Sequence, residues 1–182
     1  MKWLMTYAVK EEYTEIKFPH DEIIPVCTGI GKVNAAFRLT EAIYENKPDA
    51  VLNIGTVGTV DHQVGTLFVC RKFIDRDMQK LASLGLPYEI EFQEYPVIQG
   101  FSWVGKREGV CNTGDSFLTE LTDIEGDIVD MEAYAQAVVC KERQLPFVSV
   151  KYVTDVIGQN SVKHWQDKLA EARKSLNEFF KI

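Results

Sequence analysis

Short apolar runs alternate along this chain with segments of helical period, and that alternation limits the fold more than any other feature. A run such as residues 50–54 or 147–153 is too short for an ordinary helix and almost continuously apolar, so it reads as a buried strand. Strands of that kind need helices packed over them, which predicts an α/β domain. Residues 3–8 and 23–27 read as early strands. The turn Thr28-Gly29-Ile30-Gly31 leads into a helix over 32–46, with Val33, Ala36, Phe37, Thr40 and Ile43 expected on its buried face. Pro48 breaks that helix, and the strand over 50–54 is expected to end in a turn, Gly55-Thr56-Val57-Gly58. Residues 67–74 give another strand. Residues 76–106 mix Gly85, Pro87, Pro96 and Gly100 with alternation over 88–92, and read as loop and edge strand. Strands over 109–112 and 128–130 follow, the second running into a helix through about Arg143. A last helix begins near Ser161, a residue type suited to an N-cap. It carries Val162, Trp165, Leu169, Ala172, Leu176 and Phe179 in one stripe. No repeat, linker or low-complexity tract interrupts the pattern, so residues 1–182 are expected to form one domain.

The chain has 20 basic and 27 acidic residues, a formal charge of −7. A duplex-binding protein needs a basic stripe to neutralise phosphates, so nucleic acid is not an expected partner. The four cysteines, Cys27, Cys70, Cys111 and Cys140, are widely spaced and lie in or beside apolar runs, where buried free thiols are the ordinary outcome. With no CxxC pair and no clustered histidines, neither a zinc site nor a disulfide framework is expected. The first strand-like run ends in Lys10-Glu11-Glu12, too soon for a signal-peptide core. No apolar stretch approaches the roughly 20 residues that a membrane span requires. The expectation is a cytoplasmic protein without a membrane partner.

Ligands of open α/β sheets bind beyond the carboxyl ends of the strands. The strand ends of this chain carry small or acidic residues: Glu11 and Glu12, then Thr28-Gly29-Ile30-Gly31, then Gly55-Thr56-Val57-Gly58. Further along come Thr113-Gly114-Asp115, Asp130-Met131-Glu132 and Thr154-Asp155. Each has a purely structural reading as well. Glu11 and Glu12 suit the positive end of a helix, and Asp115 and Asp155 suit turns. Gly29-Ile30-Gly31-Lys32-Val33 lacks the spacer and the Ser/Thr after lysine of a phosphate loop, so a nucleoside triphosphate site is not expected.

Taken in order, these segments resemble the nucleoside phosphorylase/nucleosidase superfamily, most closely its methylthioadenosine/S-adenosylhomocysteine nucleosidases. The resemblance is carried by Ala8-Val9-Lys10-Glu11-Glu12, Thr28-Gly29-Ile30-Gly31-Lys32-Val33-Asn34-Ala35-Ala36 and Asn53-Ile54-Gly55-Thr56-Val57-Gly58. Thr113-Gly114-Asp115-Ser116-Phe117-Leu118, Asp130-Met131-Glu132-Ala133 and Thr154-Asp155 complete it. It implies a central mixed β-sheet flanked by helices, a homodimer, a nucleoside as small-molecule substrate, and neither cofactor nor metal. It also implies roles. Glu12 would activate the attacking water, Glu132 would hold the ribose hydroxyls with Met131 beneath the sugar, and Asp155 with Thr154 would serve the purine N7. Phe117 would stack on the base and the Leu118 backbone would bond its edge. Thr56, Val57 and Gly58 would line the floor, and Trp165 would cover the 5′ substituent. Thr59, where the family has a glycine, and Thr154, where it has a serine, depart from the pattern.

Breaking an N-glycosidic bond leaves positive charge on the ribose and negative charge on the base. A protonated Asp155 would neutralise the departing purine, Glu132 would set negative charge beside the cation, and Glu12 would take the proton of water. Phosphorylases carry an arginine ahead of the Gly-rich turn and an arginine-bearing early loop. Here those places read Leu52-Asn53-Ile54 and Ala8-Val9-Lys10-Glu11-Glu12, which favours hydrolysis. Lys10 and Lys32, the cations nearest these motifs, are expected to face solvent. The rival readings are a hydrolase of another purine nucleoside such as futalosine, a purine nucleoside phosphorylase, and a non-catalytic nucleoside-binding protein on the same fold.

Overall fold

The computed structural model describes residues 1–120, 123–159 and 161–182, and of Ser161 only the backbone. Three strands run through its centre: β1 (Lys2–Tyr7), β3 (Ala50–Thr59) and β8 (Phe147–Val156). They are buried on both faces, as their apolar runs require. On one face Trp3, Met5, Leu52, Val148 and Val150 pack under Ala172, Leu176 and Phe180 at the C-terminal end. On the other, Leu4, Val51, Phe147 and Val153 pack under Leu39, Ala133, Ala137 and Cys140.

The remaining strands are β2 (Glu22–Cys27), β4 (Leu67–Asp75), β5 (Glu89–Glu91), β6 (Glu108–Thr113) and β7 (Ile128–Asp130). All eight form one mixed sheet in the order β2-β1-β3-β7-β6-β4-β5, with β8 bridging β3 and β4. Because β3 pairs with both β8 and β7, and β4 with both β8 and β6, the strands β3, β8, β4, β6 and β7 close into a small barrel. β1 and β2 extend from its wall. Helices α1 (Lys32–Asn46) and α3 (Ala133–Glu142) pack against each other, and α4 (Ser161–Phe179) lies over β8 and β3. This is the expected α/β arrangement of a central mixed sheet flanked by helices.

Four local expectations need correcting. Gly55-Thr56-Val57-Gly58 is not a turn: β3 continues through it to Thr59, paired throughout with β8. The glycines misled because they serve close packing there and not a reversal of the chain. Second, α1 buries Ala35, Leu39 and Ala42, while Val33 and Phe37 are exposed at 79% and 56%. The helix packs on Ala35, Leu39 and Ala42, with Ala36, Thr40 and Ile43 half-buried beside them, and this offset leaves Val33 and Phe37 outside. Third, Cys70, Cys111 and Cys140 are buried free thiols but Cys27, at the end of the peripheral strand β2, is exposed. Fourth, residues 76–106 hold more than loop and edge strand. They contain α2 (Arg76–Gln79), whose first turn is capped by Asp75 accepting from the backbone N–H of Asp77 and Met78, as well as edge strand β5. In α4, Ala172 and Leu176 are buried and Val162 is exposed. The capping role expected of the Ser161 side chain lies outside the described residues.

Candidate active site

The barrel brings the carboxyl ends of β3, β7 and β8 together, with the chain just after β1, β4 and β6 beside them. One cleft, of about 690 Å³ counted out to solvent, opens there. Its lining includes Glu12, Thr56, Val57, Gly58, Phe117, Leu118, Met131, Glu132, Asp155 and Trp165. Ten of the eleven residues expected at the site therefore meet in one place. The eleventh, Thr154, is fully buried and is not part of the lining. Its hydroxyl lies 2.8 Å from Asp155 Oδ1 and 3.2 Å from the carbonyl of Val57, so it bears on the cleft through Asp155.

Each carboxylate is held by backbone geometry. After β1 the chain makes a single 3₁₀ turn at Lys10–Glu12 that folds Glu12 back under itself. Its Oε2 accepts from the backbone N–H groups of Ala8 and Val9 at 3.1 and 3.3 Å, and its Oε1 from the backbone N–H of Thr56 at 2.8 Å and the Thr56 hydroxyl at 2.5 Å. The side chain is 5% exposed, while neighbouring Glu11 takes the solvated place. Asp155 is aimed by an irregularity of β8. Val57 pairs with Val153 but Gly58 pairs with Asp155, so Thr154 is an extra residue in the ladder. A bulge of this kind re-aims the side chain that follows it. Gly58 makes the approach feasible: a Cβ there would stand 3.2 Å from Asp155 Oδ2.

Glu132, at the start of α3, reaches across to accept from the backbone N–H of Gly31 at 2.9 Å. Gly31 ends its turn at φ +91, a conformation that favours glycine. Burial, then the neighbouring Asp130 carboxylate, pushes Glu132 above the usual carboxylate range. Asp130 goes the other way. Burial alone would raise it, but Lys151 at 2.9 Å, the Thr113 hydroxyl at 2.6 Å and the Ala133 N–H at 3.0 Å outweigh that and hold it low. Lys151 is itself buried and is kept charged chiefly by Asp130 against its own desolvation.

Sequence reasoning missed Arg76, the one cation in the lining among the described residues. Its guanidinium donates to Asn112 Oδ1 at 3.0 Å and to the Ser116 carbonyl at 3.0 Å, bracing the loop that presents Phe117 and Leu118. Burial lowers its pKa. The only available signal was an arginine directly after a strand, in a segment whose α2 cap went unread. Lys32 also departs from expectation. It does not face solvent: its Nζ sits 3.0 Å from Asp75 and 2.8 Å from Asp77, and those carboxylates raise its pKa against the cost of burial. Lys10 is exposed, as expected. Asp115 accepts from the first backbone N–H of α1 at 2.8 Å, a long-range contact and not the turn bond of its structural reading. Asn53 is buried and bonded to Ser149 and Thr6. Among the described residues, no group of three or more His, Cys, Asp or Glu could hold a metal ion. Nor is any helix among them long and apolar enough to cross a membrane.

A mixed sheet rolled into a barrel, with a cleft at its strand ends lined by carboxylates and the aromatics Phe117 and Trp165, defines an α/β protein with a concave site suited to a small molecule. The family model described as the phosphorylase superfamily matches residues 8–182, and the chain belongs to that superfamily. It is 28% identical over 192 residues to the 5′-methylthioadenosine/S-adenosylhomocysteine nucleosidase of Lysinibacillus sphaericus, covering 93% of this chain and 84% of that one. Its fold matches the crystal structure of the Helicobacter pylori 5′-methylthioadenosine/S-adenosylhomocysteine nucleosidase with butyl-thio-DADMe-Immucillin-A (TM-score 0.78, 19% identity, 98% and 95% coverage). It matches the H. pylori futalosine hydrolase equally well (TM-score 0.78, 19% identity, 98% and 94% coverage).

Proposed function

We propose that this protein is an N-ribosyl hydrolase that cleaves an adenine-type nucleoside, 5′-methylthioadenosine, S-adenosylhomocysteine or a close relative, into purine base and ribose moiety. The observation that carries the reading is the meeting of Glu12, Glu132 and Asp155, from three distant segments, in one cleft of a chain whose curated relatives are nucleosidases. In this reading the base lies between Phe117 and the Leu118 backbone, with Asp155 delivering a proton to its N7 as the bond breaks. Acid catalysis of that kind contributes about 10²–10⁴-fold. Glu132 receives the ribose hydroxyls above Met131, and Glu12 takes the proton of the attacking water. Val57 and Gly58 form the floor, and Thr154 orients Asp155.

Water is the acceptor in this proposal, not phosphate. Lys32 is engaged by Asp75 and Asp77, Asn53 is sunk in the core, and Arg76 is tied to Asn112 and Ser116. The buried Glu12 carboxylate in the lining also stands where an added dianion would be repelled. The test is base release from a panel containing 5′-methylthioadenosine, S-adenosylhomocysteine, adenosine, inosine and futalosine, with the sugar product followed at increasing phosphate. Free ribose product at a phosphate-independent rate supports the proposal. Ribose 1-phosphate as the main product overturns it, and preference for futalosine within the panel reassigns the substrate.

A cytoplasmic homodimer belongs to the same proposal. Helix α1 turns Val33, Phe37 and Tyr44 outward, at 79%, 56% and 84% exposure, which suits cover by a second copy. Sedimentation of the purified chain decides it, and a Phe37→Glu variant is expected to shift the species toward monomer.

A further inference from the structure

The indole N–H of Trp165, on α4, donates to Thr56 Oγ1 at 2.8 Å, and the Thr56 hydroxyl donates in turn to Glu12 Oε1 at 2.5 Å. We propose that Trp165 is a positioning residue, acting through the Thr56 hydroxyl to hold the Glu12 carboxylate in its working orientation. This rests on the reading of Glu12 as the group that activates water.

The argument is one of donor inventory. An indole nitrogen can only donate, whereas a threonine hydroxyl has one proton and two lone pairs. With Trp165 donating into a lone pair, the single proton of Thr56 is directed to Glu12. Among the described residues Glu12 has four donors, three of them the backbone N–H groups of Ala8, Val9 and Thr56, fixed by the chain. The hydroxyl is the only one that can rotate away. Trp165 removes that freedom, and a donor chain of this kind also polarises each bond in it. The same half-buried indole lines the cleft, so the placement of α4 is coupled to the orientation of Glu12 through two hydrogen bonds.

The test compares Trp165→Phe, Thr56→Val and the double variant. Kinetics on the best nucleoside of the panel is expected to show kcat falling about three- to tenfold in Trp165→Phe, with KM within twofold. In the Thr56→Val background the same change is expected to have no further effect, because the bond it removes is already absent. Equal, additive losses in the two backgrounds, or wild-type kcat in Trp165→Phe, overturn the proposal. A second readout needs no turnover. The chain has three tryptophans, and the other two donate to Asp21 and to the Pro96 carbonyl. In ¹⁵N-labelled protein, Thr56→Val should shift the indole resonance that Trp165→Phe abolishes and leave the other two in place. An unmoved resonance overturns the relay whether or not any nucleoside is cleaved. A wild-type protein that cleaves none overturns instead the reading of Glu12.

Discussion

Lys151 Nζ lies 2.9 Å from Asp130 Oδ2, with the two side chains only 2% and 1% exposed. Asp130 is part of the cleft lining, and burial, then Asp130, pushes up its neighbour Glu132, a shift that Lys151 opposes. Removing one member of a buried pair strands the other charge, which costs about 3–5 kcal/mol. Lys151→Met is therefore expected to lower the urea midpoint by that equivalent. Asp130→Leu combined with Lys151→Met should recover a large part of the loss. If the single variant unfolds like wild type, the pair does not hold this region.

Asp155→Asn is expected to lower kcat for base release at least about a hundredfold while leaving the unfolding midpoint near wild type. The amide can still meet the Thr154 hydroxyl with its oxygen, yet it cannot deliver a proton. Retention of more than about a tenth of wild-type kcat, a loss below roughly 1.4 kcal/mol, removes Asp155 from the acid role.

Glu12→Gln changes a group that accepts from four protein donors. A carboxamide has one accepting oxygen, so its amino end must face buried donors, at a cost of about 1–3 kcal/mol. The expected outcome is a lowered melting temperature, kcat reduced at least about a hundredfold, and affinity for a non-hydrolysable nucleoside analogue within tenfold of wild type. Collapse of binding together with turnover would give Glu12 a ligand-holding role.

Glu132 predicts a pH effect on the ligand-free protein. Burial, followed by Asp130, raises its folded-state pKa above the ordinary 4.5. The folded protein then keeps a proton that the unfolded chain has lost, and its stability contribution falls as pH rises above about 4.5. It continues to fall until Glu132 ionises in the folded state. Melting temperatures measured upward from pH 5 should decline by more in the wild type than in Glu132→Gln. Parallel curves would show that Glu132 is not held protonated.

The sequence by itself determined the alternation of buried strands and amphipathic helices, because the apolar periods of residues 50–54, 147–153 and α4 admit few other packings. It also placed Glu12, Glu132 and Asp155 at strand ends, although each taken alone has a structural reading too. What it could not determine was anything set by contacts between distant segments. Gly55 to Gly58 looked like a turn because a glycine's need for close packing and its need for unusual dihedrals read alike. Only the pairing of β3 with β8, and the bulge at Thr154, show which applies. The buried face of α1 is offset from the apolar stripe of the sequence, because Ala35, Leu39 and Ala42 do the packing and leave Val33 and Phe37 outside. Lys32 looked solvated until β4 and α2 brought Asp75 and Asp77 to it, and Arg76 acquired its place only when β4 and β6 paired. Hydrophobic period is a local property of the chain, whereas the partner of a charge is a property of the packed molecule.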